Sequence, residues 1–227
     1  GETPNPTGSA ATIGSSAFNT NFDDNAYVGY MYGTPGSNTY SATHANINDS
    51  TMKIFLDNWY EENLISYGEY LADSGFCGDR SLYIGSGYGT NRAFYGAYNR
   101  IVNTKALQFS CLQSNDLYTT ASSTKGNKAL DYPIGLITAD EDSYAGGVYG
   151  ESNNSYYLYI GDVYWTMSPC FLNGSSTRGW HINLNGPLYG RDTNFEDGVR
   201  PVINLKFNVE ITSGNGTSSN PYVIKTN

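Results

Sequence analysis

The second half of the chain sets the tightest limit on its fold, because its β-prone residues come in runs too short for anything but small strands. Tyr156-Tyr157-Leu158-Tyr159-Ile160, Val163-Tyr164-Trp165-Thr166-Met167, Gly179-Trp180-His181-Ile182-Asn183-Leu184, Val199-Arg200-Pro201-Val202-Ile203-Asn204-Leu205 and Tyr222-Val223-Ile224 are separated by Gly, Asn, Ser and Pro. β-branched and aromatic residues suit a pleated surface and the separating residues suit turns, so a small antiparallel sheet is expected. Trp180, Ile182 and Leu184 alternate with His181, Asn183 and Asn185, which predicts one buried face and one facing solvent or a ligand, with His181 on the wetter side. Pro201 cannot donate to a ladder, so its run is expected at an edge or a bulge.

Helical signals are few. Asp49-Ser50-Thr51 offers an N-cap, and Met52, Phe55, Leu56 and Trp59 follow at helical spacing, which predicts a helix to about Leu64. Thr138-Ala139-Asp140-Glu141 has the capping-box pattern and Gly146-Gly147 a stop, which predicts a second helix of about two turns. Residues 1–25 are rich in Thr, Asn, Ser and Gly with few apolar anchors and read as an N-terminal arm or linker; residues 26–227 read as one domain. The expected class is α+β, with small twisted antiparallel sheets, one or two helices and long irregular loops.

Charge narrows the setting. The 227 residues carry 12 Lys and Arg against 21 Asp and Glu, a net charge of -9, which excludes a basic nucleic-acid footprint. Aromatic residues reach 15% with 21 Tyr, so the chain has the material for a core and is not a disordered segment. No apolar run is long enough to cross a bilayer as a helix. The opening Gly1-Glu2-Thr3-Pro4 lacks Met and reads as a processed start, with any anchoring segment outside this chain. A polar, aromatic, turn-rich chain of this kind is expected outside the cell, at the cell surface. Cys77, Cys111 and Cys170 allow one bridge within the chain. Pairing Cys77 with Cys111 closes a loop of moderate length and leaves Cys170 in an apolar setting beside Phe171; three reduced, buried thiols are the open alternative.

Chemistry-bearing patterns are sparse. His44 and His181 have no second His or Cys at ligand spacing, so neither is assigned to a metal, and no Gly-x-Ser-x-Gly elbow marks a nucleophile. No catalytic residue is assigned. Asp140-Glu141-Asp142 is the tight acidic cluster; as calcium ligands or a glycosidase pair it would be attractive. Acids in a first helical turn complement the helix dipole and adjacent side chains diverge, which makes capping the stronger reading. Asp23-Asp24-Asn25 and the 191–197 loop offer oxygens for a structural calcium, although turn chemistry is the commoner use of such residues. Tyr and Trp among Asn and Asp suit recognition of glycans or proteins alike, while any single Tyr has a core or rim role as its bland reading.

Tyr164-Trp165-Thr166-Met167-Ser168-Pro169, then Trp180, then Gly198-Val199-Arg200-Pro201-Val202-Ile203-Asn204-Leu205 resemble the closing part of bacterial domains with a C-type-lectin-like fold, related in architecture to the formylglycine-generating enzyme and sulfatase-modifying-factor group. Tyr27-Val28-Gly29-Tyr30-Met31-Tyr32-Gly33, Asn58-Trp59-Tyr60, Gly75-Phe76-Cys77-Gly78-Asp79-Arg80-Ser81 and the 132–141 stretch resemble other blocks of an uncharacterised family of bacterial surface proteins, so the resemblance covers most of residues 27–227. It implies that the Tyr-Trp and Arg-Pro-Val segments are central strands. Trp165, Trp180, Asp79, Arg80, Asp140 and Glu141 are then structural, and Arg200 pairs a buried acid, with Asp79, Asp140 or Glu141 as candidates. The closely spaced active-site cysteines of the formylglycine-generating enzyme have no counterpart beyond Cys170, and the Glu-Pro-Asn or Gln-Pro-Asp calcium motif is absent.

The expected function is therefore a non-enzymatic binding or adhesion domain of a bacterial surface or pilus-associated protein, recognising a glycan or protein of a host or neighbouring cell. A structural pilin-like subunit is one alternative, and an enzyme related to the formylglycine-generating group, needing a reactive Cys170, is another. The binding surface is expected in irregular loops between Ser168 and Gly198, with Phe171, Asn173, Arg178, His181, Tyr189, Arg191, Asp192, Asn194 and Glu196 as candidates.

Overall fold

Ser50 caps the longest helix: its hydroxyl accepts from the Lys53 N–H at 3.1 Å, and α1 (Thr51–Asn63) turns Met52, Lys53, Leu56 and Tyr60 inward. The computed structural model describes residues 7–217 and 219–226. Near the middle of the chain the capping box forms as well. In α2 (Ala139–Ala145) the Thr138 hydroxyl accepts from Glu141 N–H at 3.2 Å, Glu141 Oε2 accepts from Thr138 N–H at 2.9 Å, and Gly146 ends the helix at φ 123°. Both helices stand where local spacing and caps place them.

Around them lies a mixed α/β arrangement with few helices and several small, open sheets. The main sheet has seven strands: β1 (Ser15–Ala17), β2 (Leu82–Gly85), β3 (Ala93–Tyr95), β4 (Tyr164–Asn173), β5 (Ser176–Ile182), β6 (Leu188–Asp192) and β7 (Glu196–Gly198). The order is β1-β7-β4-β3-β2, with β5 on the other edge of β4 and β6 beside β5. Pairing is antiparallel except between β7 and β4, where Gly198 meets Tyr164 in parallel. Two-stranded ladders join Phe76–Cys77 to Leu117–Tyr118, Met31–Tyr32 to Asn48–Asp49, and Ile211–Ser213 to Val223–Ile224.

β4 is the wall between two cores. Trp165 and Met167 point into a cluster with Phe18, Met52, Leu56, Tyr118 and Leu136, whereas Tyr164 and Cys170 join Trp180, Ile182, Leu188 and Ile101 on the opposite face. The strand continues through Pro169, and its register with β5 shifts on either side of that residue. A bulge accommodates the missing donor, so a run expected to stop at Met167 extends to Asn173.

Several expectations are corrected. The stretch read as an arm is built into the sheet from Ser15 onward. Ser16 pairs with Asp197, Trp165 Nε1 donates to the Ser16 carbonyl at 2.9 Å, and Phe18 is wholly buried against Trp165. Residues 1–6 of that expected arm lie outside the described residues. The 156–160 run forms turns, because side chains rather than a ladder take its polar groups: the Leu158 carbonyl accepts from Arg200 and from the Tyr164 hydroxyl. The 199–205 run is not a central strand either; it meets other segments through single bridges, Val202 with Gly135 and Leu205 with Leu71. His181 is not on a wet face, since both faces of β5 are covered and its Nδ1 lies 2.8 Å from Asp197 Oδ2.

Among the described residues two cations, Arg80 and Lys53, are buried inside this frame and a third, Arg100, is nearly so. Arg80, with no exposed surface, donates Nε to Asp116 Oδ1 at 2.8 Å, Nη1 to the Met31 carbonyl at 3.0 Å and Nη2 to the Asn115 carbonyl at 3.2 Å. Lys53 Nζ stands among Asp57, Asp131 and Asp49 at 2.6, 2.6 and 3.3 Å. Arg100 is described below. Asp116→Ala is expected to lower stability by about 3–5 kcal/mol, because it strands a buried guanidinium. Asp192→Ala, which breaks the half-exposed Arg178–Asp192 pair, is expected to cost no more than about 1 kcal/mol. Urea midpoints of the two variants measure the difference; equal losses would contradict the ranking.

Candidate functional site

Asp140, in the first turn of α2, faces Arg100 from the six-residue π-helical turn Asn99–Thr104. Arg100 Nε and Nη2 each donate to one Asp140 oxygen at 2.8 Å, and Nη1 lies 2.8 Å from Asp79 Oδ2. Burial works against the guanidinium charge, and Asp140 followed by Asp79 more than offsets it, so Arg100 is held charged. Asp140 Oδ1 also accepts from the Gln108 N–H at 3.0 Å, and Asp79 Oδ1 from the Ser81 N–H at 3.0 Å. This three-residue bridge is one wall of a cavity of about 320 Å³.

The remaining walls come from several segments that are distant in the chain. Phe76, Leu136 and Val202 supply apolar surface, and the bonded pair Cys77–Cys111, with Cα atoms 5.5 Å apart, runs along one side. Ser168 on β4 also lines it, its hydroxyl accepting from the Ala139 N–H at 3.0 Å. Phe109, Lys125, Glu141 and Asn204 line it as well. Phe109 is largely exposed and meets the exposed Tyr144 ring edge-on at 5.2 Å. With Arg100 turned to Asp79 and Asp140, the cavity offers amides, hydroxyls, an aromatic face and the Lys125 ammonium. Such a mixture of apolar floor and few polar groups is what ligand pockets share.

The residues expected to bind are arranged otherwise. On β5 and β6, Arg178 and Asp192 are partners and share a face with Trp180, while His181 and Tyr189 are partners on the opposite face with Gly179 and Arg191. The candidates therefore split between two faces and do not make one surface. Phe171 lies under the Arg178 guanidinium at 5.3 Å, Arg191 lies over Phe195 at 4.1 Å, and Asn173, Asn194 and Glu196 are exposed at strand ends and turns. Most of the 168–198 segment is strand, not irregular loop.

Arg200 has none of its expected partners. Its Nη1 donates to the Leu158 carbonyl at 2.9 Å and its guanidinium lies 4.7 Å from the Tyr164 ring centre. Asp79 and Asp140 are taken by Arg100, and Glu141 by the Thr138 cap. Two acids of the cluster go inside, Asp140 to Arg100 and Asp142 to a pair of tyrosines. Asp142 accepts from Tyr164 at 2.7 Å and Tyr156 at 3.3 Å, and burial pushes it up to about 6 against the pull of those hydroxyls and of Arg200. Gly147 lies so close to Asp142 Oδ1 that no side chain fits there.

The oxygen-rich loops are occupied too. Asp24 accepts from the Ala26 and Gly36 N–H groups at 2.8 Å each, which is turn chemistry. Among the described residues, Asp49, Asp57 and Asp131 are the carboxylates grouped closely enough to hold a metal ion, and Lys53 Nζ already stands among them. Cys170 is fully buried, and burial pushes its thiol well above the ordinary range, so it offers no ready thiolate.

No known protein decides the matter. Comparison with family models, curated proteins and solved structures gives no match to this chain. Arg100, Gln108 and Phe109 were not singled out from the sequence. The available signal was weak: Arg100 sits among Ala97, Tyr98, Ile101 and Val102, a setting that buries a cation and calls for an acid.

His44 is also inside, its Nε2 2.9 Å from the Gly87 carbonyl and its ring 4.4 Å from that of Tyr40. Burial, then Arg80, pushes it down to about 3 from 6.5, so the ring is neutral and Nε2 carries the donated proton. Nδ1 has no hydrogen-bond partner among the described residues. With the folded value below the unfolded one, the neutral ring's contribution is complete above pH 6.5 and is lost as pH falls toward 3. Asp142 acts in the opposite sense: its contribution is complete below 3.8 and lost as pH rises through about 6. Comparison of two proteins isolates His44. The native chain should lose stability relative to His44→Gln as pH drops from about 6.5 to 4, by up to about 1.4 kcal/mol per pH unit. Urea midpoints across that range test it; parallel curves would refute a buried neutral ring.

Proposed function

We propose that this chain is an extracellular, non-enzymatic binding or adhesion domain of C-type-lectin-like fold, carried by a bacterial surface or pilus-associated protein, and that it recognises a glycan or protein through the cavity beside Cys77–Cys111. The observation that carries the reading is that cavity: a disulfide, the Arg100 bridge with its two carboxylates and an exposed aromatic ring surround a space fit for a small group. A structural disulfide suits an oxidising compartment outside the cytoplasm. Among the described residues no helix is long and apolar enough to cross a membrane. The enzymatic alternative resting on Cys170 is the weaker reading, because that thiol is enclosed and held protonated.

One observation favours the pilin-like alternative. β2 is an edge strand whose four residues are all exposed, Leu82, Tyr83 and Ile84 among them. Unpaired edges of apolar strands add further strands readily. If self-assembly is the role, sedimentation shows concentration-dependent growth that Ile84→Lys abolishes; a monomer at all concentrations excludes it.

Binding itself is read by a glycan array and by capture of host surface proteins. Phe109→Ala, at an exposed position where folding is not at stake, is expected to weaken binding about tenfold or more. Arg191→Ala with Asn194→Ala, outside the cavity lining, is expected to leave it unchanged. The reverse pattern would move the site to the β5–β6 surface.

A further inference from the structure

Residues 105–113 form a strap without regular secondary structure, and the strap supplies Gln108, Phe109, Ser110 and Cys111 to the cavity wall. It leaves the π-helical turn at Lys105, whose φ of 54° is left-handed, and ends where the Gln113 carbonyl accepts from the Asp116 N–H at 3.0 Å. Its first half is held by Leu107 packed on the second core, by Gln108 N–H on Asp140, and by the Phe109–Tyr144 ring contact. In its second half the side chains of Leu112 and Ser110 are exposed, and the polar contacts of Cys111 and Gln108 side chains stay within the strap. There the ties to the body are the bond from Cys111 to Cys77 and, at the very end, the Asp116 N–H on the Gln113 carbonyl.

The far end of that bond is firmly seated. Cys77 is paired with Leu117 in a ladder whose neighbour, Asp116, is fixed by Arg80 through main chain and side chain at 2.8 Å each. Both half-cystines line the cavity and neither is fully buried, so the cavity is the side from which a small thiol would approach. Cys170 lies in the other core, fully buried, so no third thiol of the chain competes for exchange.

We propose that Cys77–Cys111 is a reducible fastener of the strap, so that the cavity keeps its wall in the oxidised chain and loses it in the reduced one. The co-reactant is a dithiol reductant. Its thiolate attacks one sulfur, the S–S bond breaks, and the other cysteine leaves as a thiolate that takes up a proton. The second thiol of the reductant then resolves the mixed disulfide, so that the protein gains two electrons and two protons while the reductant becomes a disulfide. What then holds the strap is Leu107, one exposed ring contact, and hydrogen bonds at Gln108 and at its two ends, Lys105 Nζ to the Ile101 carbonyl and Asp116 N–H to the Gln113 carbonyl; its exposed middle is the kind of segment that opens locally. That the released wall also gates binding rests on the cavity reading above; release of the strap does not.

Hydrogen exchange of the full chain, oxidised and after a dithiol reductant, tests the fastener, with Cys77→Ser/Cys111→Ser giving the same state without reductant. Exchange within 105–113 is expected to rise about tenfold or more while α1 and β4 keep their protection. Unchanged exchange in the strap would overturn the proposal. So would an equal rise throughout the molecule, which would make the bond a general stabiliser of the folded chain. The same two states on the glycan array separate the two ideas. Binding lost on reduction supports a gated cavity; a released strap with undiminished array binding leaves the fastener standing and removes the cavity as the site.

Discussion

Buried positive charge organises this molecule. A guanidinium or ammonium removed from water must be met by acids and carbonyls, and the groups that meet these three come from far along the chain: Asp116 for Arg80, Asp140 and Asp79 for Arg100, Asp131 for Lys53. Lys53 and Arg100 thereby join segments that share no ladder, and Arg80 reinforces the short ladder beside it. In a fold whose sheets are short, such charged pins define geometry as much as they stabilise, since removing one partner leaves the other uncompensated. The cavity inherits its shape from two of them. Arg100 holds the start of α2 against the strap, and Arg80 holds the ladder in which Cys77 sits.

What could be read directly from the residues was local. Ser50, Thr138 and Glu141 act on backbone groups within three residues of themselves, so caps and spacing sufficed to place both helices. The Cys77–Cys111 pairing followed from a choice among few possibilities. Strand extent was harder to read, because it depends on partners. β4 passes Pro169 only because β3 and β5 flank it beyond that point, and the 156–160 run, as β-prone as any, finds no strand to pair with.

The same limit applies to the site. His181 alternates with Trp180 and was expected on a wet face, which is sound for a sheet covered on one side; β5 is covered on both, with Trp165 on the His181 side. Arg200 was expected to seek an acid, but the nearest candidates answer to Arg100, a residue with no motif around it. Which acid a cation meets is settled by the packing of segments forty residues apart, and local pattern carries no trace of it. The cavity, too, gathers one wall from a strap of ordinary sequence.

Lys53 has one more consequence. Asp49, Asp57 and Asp131 converge as carboxylates do around a divalent ion, but the central positive charge is supplied by the polypeptide itself. A tethered ammonium cannot diffuse away or be chelated. The positive charge at this corner of the molecule is thus a permanent part of the chain, fixed in place by the helix that carries Lys53.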